Sequence, residues 1–520
     1  MSRINTNVTS LIAQRVLGQN TNSLATSLER LSTGLRINRG ADGPAALIAS
    51  QNLRAEQSAI SAAVSNAERA DQVINIAEGG LDEISSLLTE LQGLVTTTAN
   101  TAGLSSEEKE ANQLQIDSIL QTIDRLASST SFQGTKLLNG NFDYDTTDVS
   151  AAVDGFTVNG AKLGFQQTLD VDVLVTLSAQ QAGYYLSTAG NLDLGAATDR
   201  FVFEVTGSKG SREFTFASGA TRADIVAAVN SFSSVTGVSA SVVTSGAGAQ
   251  SGIRIDSIGF GADEFVSVKV VDDGNIAAGS GIYNLAAADT AALGALSATY
   301  GSVAAANGLT DDGQDVEATI NGVTATTKGT FARINTDFLD IEVDLSATAG
   351  AGANAQTLGG IAALTITGGG ADFQLAGQVD INGKVGVGVG NVSSRTIGKS
   401  DLTVAGTAGS FFLADLGSGS TLNLVDGDLS GAQDVVDRAI RQVSGLRGRL
   451  GAFQQNTVGA TIRNLSVTLE NTTAAESIIR DADFALESAG LSRNQILQQS
   501  ATQILQIANA QPQNALALLG

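Results

Sequence analysis

The sequence predicts an α+β protein: a long helical coiled-coil rod formed by both chain ends, with β-rich subdomains inserted in the middle. Three observations carry this. Glycine divides the chain: residues 1–145 hold 10 of the 59 and residues 425–520 hold 8, so most helix breakers lie between. Proline occurs only at Pro44 and Pro512. Pro inside a helix costs ~3 kcal/mol, so its scarcity permits very long helices. Apolar residues recur at alternating spacings of 3 and 4 near both ends, the seam of helices that wrap a partner.

From the N-terminus, Leu17, Leu24, Leu28, Leu31 and Leu35 mark a first helix, and Asn38-Arg39-Gly40-Ala41 a joint. Asp42-Gly43-Pro44 then supplies a cap-like Asp, a flexible Gly and a Pro suited to a first helical turn. The next helix should run to about Ala99, roughly 80 Å at ~1.5 Å per residue. Its seam reads Ile60, Ala63, Ala67, Ala70, Ile74, Ala77, Leu81, Ile84, Leu88, Leu91 and Val95. After a loop at Thr101-Ala102-Gly103, Ser105 or Ser106 with Glu108 opens another helix by a capping box. Ile116, Ile119, Ile123 and Leu126 form its apolar face, and a turn with a short strand follows at Phe132–Gly140.

The C-terminal part keeps the rhythm at Val436, Ala439, Val443, Leu446, Leu450 and Phe453. It slips by one residue there and resumes at Val458, Ile462, Leu465 and Leu469. Ile479, Ala482, Leu486 and Ala489 continue it, then Leu497, Ala501, Ile504 and Ala508. Periodicity alone also fits an ordinary helical bundle. The extreme ends, however, carry few charges, and their polar faces are Asn, Gln, Ser and Thr, which suits burial against other copies. A membrane-surface helix would carry a Lys/Arg excess.

Composition excludes much chemistry. The chain has no Cys and no His, which removes thiolate nucleophiles, imidazole catalysis and the usual zinc ligands. With 29 Lys and Arg against 52 Asp and Glu, the net charge of −23 argues against nucleic-acid partners. No apolar run is long enough for membrane insertion, and residues 1–30 lack the apolar core of a signal peptide.

Several ordered motifs resemble the bacterial flagellin family. They are Ile4-Asn5-Thr6-Asn7, Leu28-Glu29-Arg30-Leu31-Ser32-Thr33-Gly34-Leu35-Arg36-Ile37-Asn38 and Thr130-Ser131-Phe132-Gln133-Gly134-Thr135-Lys136-Leu137-Leu138-Asn139-Gly140. At the other end stand Ile479-Arg480-Asp481-Ala482-Asp483-Phe484-Ala485 and Ala508-Asn509-Ala510-Gln511-Pro512-Gln513-Asn514. The resemblance covers about residues 1–142 and 425–520. It departs at the joint, which reads Gly40-Ala41-Asp42-Gly43-Pro44, and at the terminal Gly520. Thr89-Glu90-Leu91-Gln92-Gly93-Leu94 matches the family stretch seen by innate Toll-like receptors but lacks its arginines and Glu, which implies weak or absent receptor activation.

The resemblance implies a secreted structural subunit that polymerises into the extracellular flagellar filament for swimming. Its terminal helices would order on assembly, and export would use the flagellar type III apparatus without a cleaved signal. Implied partners are the chain itself as a helical homopolymer, the filament cap, hook-filament junction proteins and a flagellin export chaperone. The implied division is 1–42 and 479–520 as the inner coiled-coil domain, and 43–145 and 425–478 as the outer helical rod. Residues 146–424 would be surface-exposed, with a hook IN-like motif at 201–271 and a second β subdomain at about 300–420. Subunit packing and assembly are assigned to Leu24, Leu28, Leu31, Leu35, Ile74, Leu81, Ile84, Leu88, Leu91, Leu446, Leu450, Leu486, Leu497 and Ile504.

In the middle, Phe201–Val205, Glu213–Phe216, Val238–Val243, Ile253–Ile255 and Val266–Val271 read as strands, with Thr221 and Asp224 capping a short helix. Val316–Val323 runs into an Asn-Gly hairpin turn, and Leu339–Leu345, Leu364–Thr367 and Val379–Ile381 alternate as strands do. The acidic turns Asp272-Asp273-Gly274 and Asp311–Asp315 could hold Ca²⁺ or pair as glycosidase carboxylates, but turn acids in so acidic a chain are usually solvated. Gly386, Gly388 and Gly390 fit a strand or loop better than a phosphate loop. No catalytic residue, cofactor or metal is expected. Two rival readings stay open: a hook-filament junction protein, and an adhesin or carbohydrate-active display protein on the same frame.

Overall fold

A computed structural model describes residues 6–517 apart from 101–102, 165, 189–190, 197, 244–251, 277–280, 287–288, 349–354 and 405–406. Ile4-Asn5, Thr101-Ala102 and Gly520 therefore lie outside the described residues. The helices are α1 (Val8–Thr33), α2 (Pro44–Thr98), α3 (Ser106–Ser129), α4 (Arg222–Asn230), α5 (Ser233–Thr236), α6 (Val303–Asn307), α7 (Leu429–Ala452), α8 (Gly459–Arg480) and α9 (Phe484–Ala517). Contacts divide the chain into two compact units. One draws on residues up to Asn75, on Phe373–Lys384 and on those from Gly448 onward; the other holds Ile76–Asp372 and Val385–Arg447. The class is α+β with helical ends.

In the first unit α1 pairs with α9. α1 ends at Gly34, at φ +72°, and Leu35 bridges Asp481 as a minimal antiparallel pair. Arg36 N donates to Arg480 O at 2.7 Å and Ala482 N to Gly34 O at 2.9 Å, so the breaks α1/α2 and α8/α9 are one joint made from both ends of the chain. Asp42 does not cap α2 as expected. Its carboxylate accepts from Asn38 N and Arg39 N, at 3.0 and 2.8 Å, and these bonds hold it below the usual carboxylate range. The early part of α2 is tied to α8 by Ser50 Oγ donating to Glu476 and by Gln57 Nε2 donating to Thr472 O.

The one-residue slip after Phe453 has a structural counterpart. Phe453–Val458 is a π-helical turn between α7 and α8, which takes up one extra residue and returns the seam to the same face. Gln454 Nε2 donates from this turn to Asp71 and Asn75, at 2.8 and 3.0 Å.

In the second unit, the later part of α2 buries Ala77, Leu81, Ile84, Leu88, Leu91 and Val95. α3 begins at Ser105 with the expected capping box to Glu108 and buries Ile116, Ile119 and Ile123. Leu126 is only half-buried, and Ala127 is enclosed in its stead. Gln92 joins α2 to Asp437 on α7 at 2.6 Å, and Arg447 reaches Glu78 and Asp82, both at 2.8 Å.

The β-rich part has two cores, each between antiparallel sheets. One core lies between a five-stranded sheet and the four-stranded sheet Thr326–Lys328, Phe331–Asn335, Leu339–Leu345, Val153–Ala161. The five strands run in the order Val323–Thr324, Glu317–Ile320, Leu169–Leu177, Gly359–Gly369, Tyr144–Thr147. The second β subdomain expected over about 300–420 thus lacked the strands it takes from 144–177, because a long insertion separates the paired segments. That insertion forms the other core. Its sheets run Asp289–Thr299, Gly281–Ala286, Gly183–Ser187, Gly252–Ser257, Val238–Val243 and Leu309–Asp312, Phe265–Asp272, Arg200–Gly207, Gly210–Ala217, with α4 capped by Thr221 and Asp224. Asn321 and Gly322, at φ +49° and +78°, make the predicted tight hairpin turn. Val379–Ile381 is not a strand. It lies in a loop closed by Leu375 N donating to Gly383 O at 2.9 Å.

Candidate assembly surface

The pairing of α1 with α9 is built from small and polar residues. α1 buries Ser10, Ala13 and Ser27, and α9 buries Ala501 and Ala508. Hydrogen bonds stitch the two together: Asn7 Nδ2 to Ala508 O at 2.7 Å, Ser10 Oγ to Asn509 Oδ1 at 2.6 Å, Asn20 Nδ2 to Leu497 O at 3.2 Å and Asn494 Nδ2 to Ser27 Oγ at 3.1 Å. Small side chains let two helices approach, but they remove little apolar area from water. Beside the joint, Glu29 grips the Arg39 guanidinium through both oxygens, at 3.0 and 2.6 Å.

The large apolar residues of these helices point elsewhere. Leu28 is 49% exposed, Leu486 72%, Leu497 43% and Ile504 57%, while Leu24, Leu31 and Leu35 are half-buried. The other residues assigned to assembly behave differently. Ile74, Leu81, Ile84, Leu88, Leu91, Leu446 and Leu450 are all buried within the single chain. Heptad spacing alone does not separate the two groups, because a seam against the same chain and a face toward another copy share one period.

Sequence reasoning missed Leu11, Ile12, Ile496 and Ile507, all more than 45% exposed. The signal was the spacing of the small residues: Ala501 and Ala508 stand one heptad apart, which turns the flanking isoleucines outward. In the Thr89–Leu94 stretch, Leu91 is buried, Glu90 accepts from Gln115, and Gln92 is held by Asp437.

The acids weighed for ion binding or catalysis hold the backbone. Asp272 accepts from Gly274 N, Asp311 from Gly183 N, and Asp315 from both Ala262 N and Gly329 N. Among the described residues no cluster of three or more such side chains could hold a metal ion, and no helix is long and apolar enough to cross a membrane. At Gly388 a side chain would strike Val158 O, so close backbone approach accounts for that glycine.

Three family models match the chain. Residues 4–143 match the bacterial flagellin N-terminal helical region, 433–519 the C-terminal helical region, and 200–257 the flagellin hook IN motif. The sequence is 30% identical to flagellin of Salmonella rubislaw, covering 99% of both chains. The chain belongs to the bacterial flagellin family. Flagellin of Salmonella typhimurium is likewise 30% identical, and flagellin A of Helicobacter pylori 27%, each over 99% of both chains. The flagellin helical regions contain all of α1, α2 and α3 at one end and α8 and α9 at the other, and the hook IN motif spans the strands Arg200–Gly207 through Gly252–Ser257.

Proposed function

We infer that this flagellin is a structural subunit that polymerises into the extracellular flagellar filament, rather than an enzyme. One observation supports this above others: α1 and α9 pair through Ser, Ala and Asn while Leu28, Leu486, Leu497 and Ile504 stay exposed. Two helices with so small a core have little stability alone. Neighbouring copies that cover these side chains supply the missing apolar burial, which couples ordering of the ends to assembly. The contact is head-to-tail and non-closing, which generates a helical filament.

On this reading 1–42 and 479–520 form the inner domain, 43–145 and 425–478 the surrounding helical domain, and 146–424 the outer surface. The subunit-packing role falls to Leu28, Leu486, Leu497 and Ile504. Leu24, Leu31 and Leu35 are shared between the chain's own joint and its neighbours. Further partners are the filament cap, the hook-filament junction proteins and an export chaperone for the exposed terminal helices. Seeded polymerisation tests the reading. Electron microscopy should show filaments from the full-length chain and none after removal of residues 480–520; filaments from the truncated chain would overturn it.

A further inference from the structure

We propose that Asn382-Gly383 is a self-modification site, at which Asp380 promotes conversion of the asparagine to aspartate or isoaspartate. The chain contains five Asn-Gly pairs, at Asn139, Asn159, Asn307, Asn321 and Asn382. Such pairs are prone to attack by the glycine nitrogen on the asparagine side chain, because glycine adds no steric hindrance. The fold restrains them very differently.

Asn321 is locked at both ends: its Oδ1 accepts from Asp172 N at 2.8 Å and its Nδ2 donates to Asp170 O at 3.0 Å. Asn159 is buried in a paired strand and donates to Asp340 at 3.3 Å. Asn139 Oδ1 accepts from Asn141 N, which draws the carboxamide forward into a local turn. Asn307 ends α6, and the Gly308 N–H donates to the neutral carbonyl of Ala305.

Asn382 shares an exposed side chain with Asn307 and differs from it in the acceptor of the following glycine N–H. Its side chain is exposed, and among the described residues it has no hydrogen-bond partner. The Gly383 N–H donates instead to a carboxylate, Asp380 Oδ1, at 2.6 Å. The loop that presents this pair is held from both sides. Gln374 Nε2 donates to Ala376 O and Gln378 O, and Leu375 N to Gly383 O. A side chain at Gly383 would meet Ala376 Cβ as well as Gln374 Nε2, so this place disfavours a larger residue. A carboxylate on the attacking N–H is the arrangement of a general base, and a fixed loop keeps it in reach.

The reaction balances without a redox partner. The Gly383 nitrogen bonds to Asn382 Cγ and closes a five-membered succinimide. Its proton passes to Asp380 and then to the departing carboxamide nitrogen, which leaves as ammonia. Water opens the ring at either carbonyl, giving aspartate or isoaspartate and one new negative charge. The loop rests on α2, where Gly377 sits against Ala59 and Ile60, and each conversion adds that charge to the exposed side of the loop.

The test uses the folded full-length chain, aged at neutral pH and mapped by peptide mass spectrometry with fragmentation. Asn382 should convert first and Asn321 last. Asp380→Asn keeps the acceptor oxygen but removes the base. It should slow conversion at 382 about tenfold, a modest share of what a positioned base supplies, and leave Asn307 unchanged. In denaturant the ranking should collapse. A folded-state rate at Asn382 no faster than at Asn321 or Asn307 would sink the proposal. So would an unchanged rate in Asp380→Asn, or a ranking that survives denaturation.

Discussion

Gln113 sits on α3 with its amide enclosed. Nε2 donates to Leu416 O at 2.9 Å and Asp117 Oδ1 at 3.0 Å, while Oε1 accepts from Leu424 N at 2.7 Å. Further along the helix, Asp117 accepts from Ser418 N at 2.9 Å and Asp124 from Ser394 N at 2.7 Å. This ladder holds the returning chain on α3. Gln113→Leu would strand the Leu416 carbonyl and the Leu424 N–H, each at roughly 1–3 kcal/mol, so urea unfolding should show a loss of about 2–6 kcal/mol. Asp256 makes a different prediction. It is buried beside Arg254, with Nε at 2.5 Å, and burial nonetheless pushes its carboxyl from 3.8 to about 6. Between those values the folded chain holds a proton that the unfolded chain has released. This group therefore adds stability as pH falls from about 6 toward 3.8, and that gain is lost as pH rises again. Melting curves across this window should slope less in Asp256→Asn than in the parent chain.

The π-turn at Phe453–Val458 takes up the extra residue at which the heptad breaks. Removing one residue from it should convert the turn to ordinary α-helix with the seam intact. We expect deletion of Asn456 to leave the melting temperature within a few degrees of the parent. Deletion of the exposed Ser444 in α7 is the contrast: it rotates every later position by about 100° and should unfold the helical part. A deletion of Asn456 as damaging as that of Ser444 would show the turn to be more than a register adjustment. The seam and its slip were legible in the sequence, as were the Ser105 capping box and the Asn321-Gly322 turn, because each rests on local geometry. Val379–Ile381 misled, since two apolar residues around Asp380 imitate strand alternation while a cross-loop bond from Leu375 to Gly383 sets the actual turn. Asp42 misled for the same reason, as its carboxylate chose the preceding backbone over the helix it precedes.

For the complete chain, the separation of buried from exposed leucines yields the sharpest test of assembly. Leu88→Ala empties a fully buried position and should cost about 2–5 kcal/mol in the monomer. Leu486→Ser and Ile504→Ser change exposed positions and should leave monomer melting unchanged while abolishing seeded growth. If the serine variants polymerise as the parent does, these helices do not make the subunit contact.

The helical ends, the β-rich middle and the family were readable from residue order, because periodicity, glycine distribution and short motifs are local properties of a chain. Which leucines face the chain's own interior was not, nor that strands on either side of a long insertion share one sheet. Both depend on contacts between residues hundreds of positions apart, and a repeat of 3 and 4 carries no information about what lies across the seam.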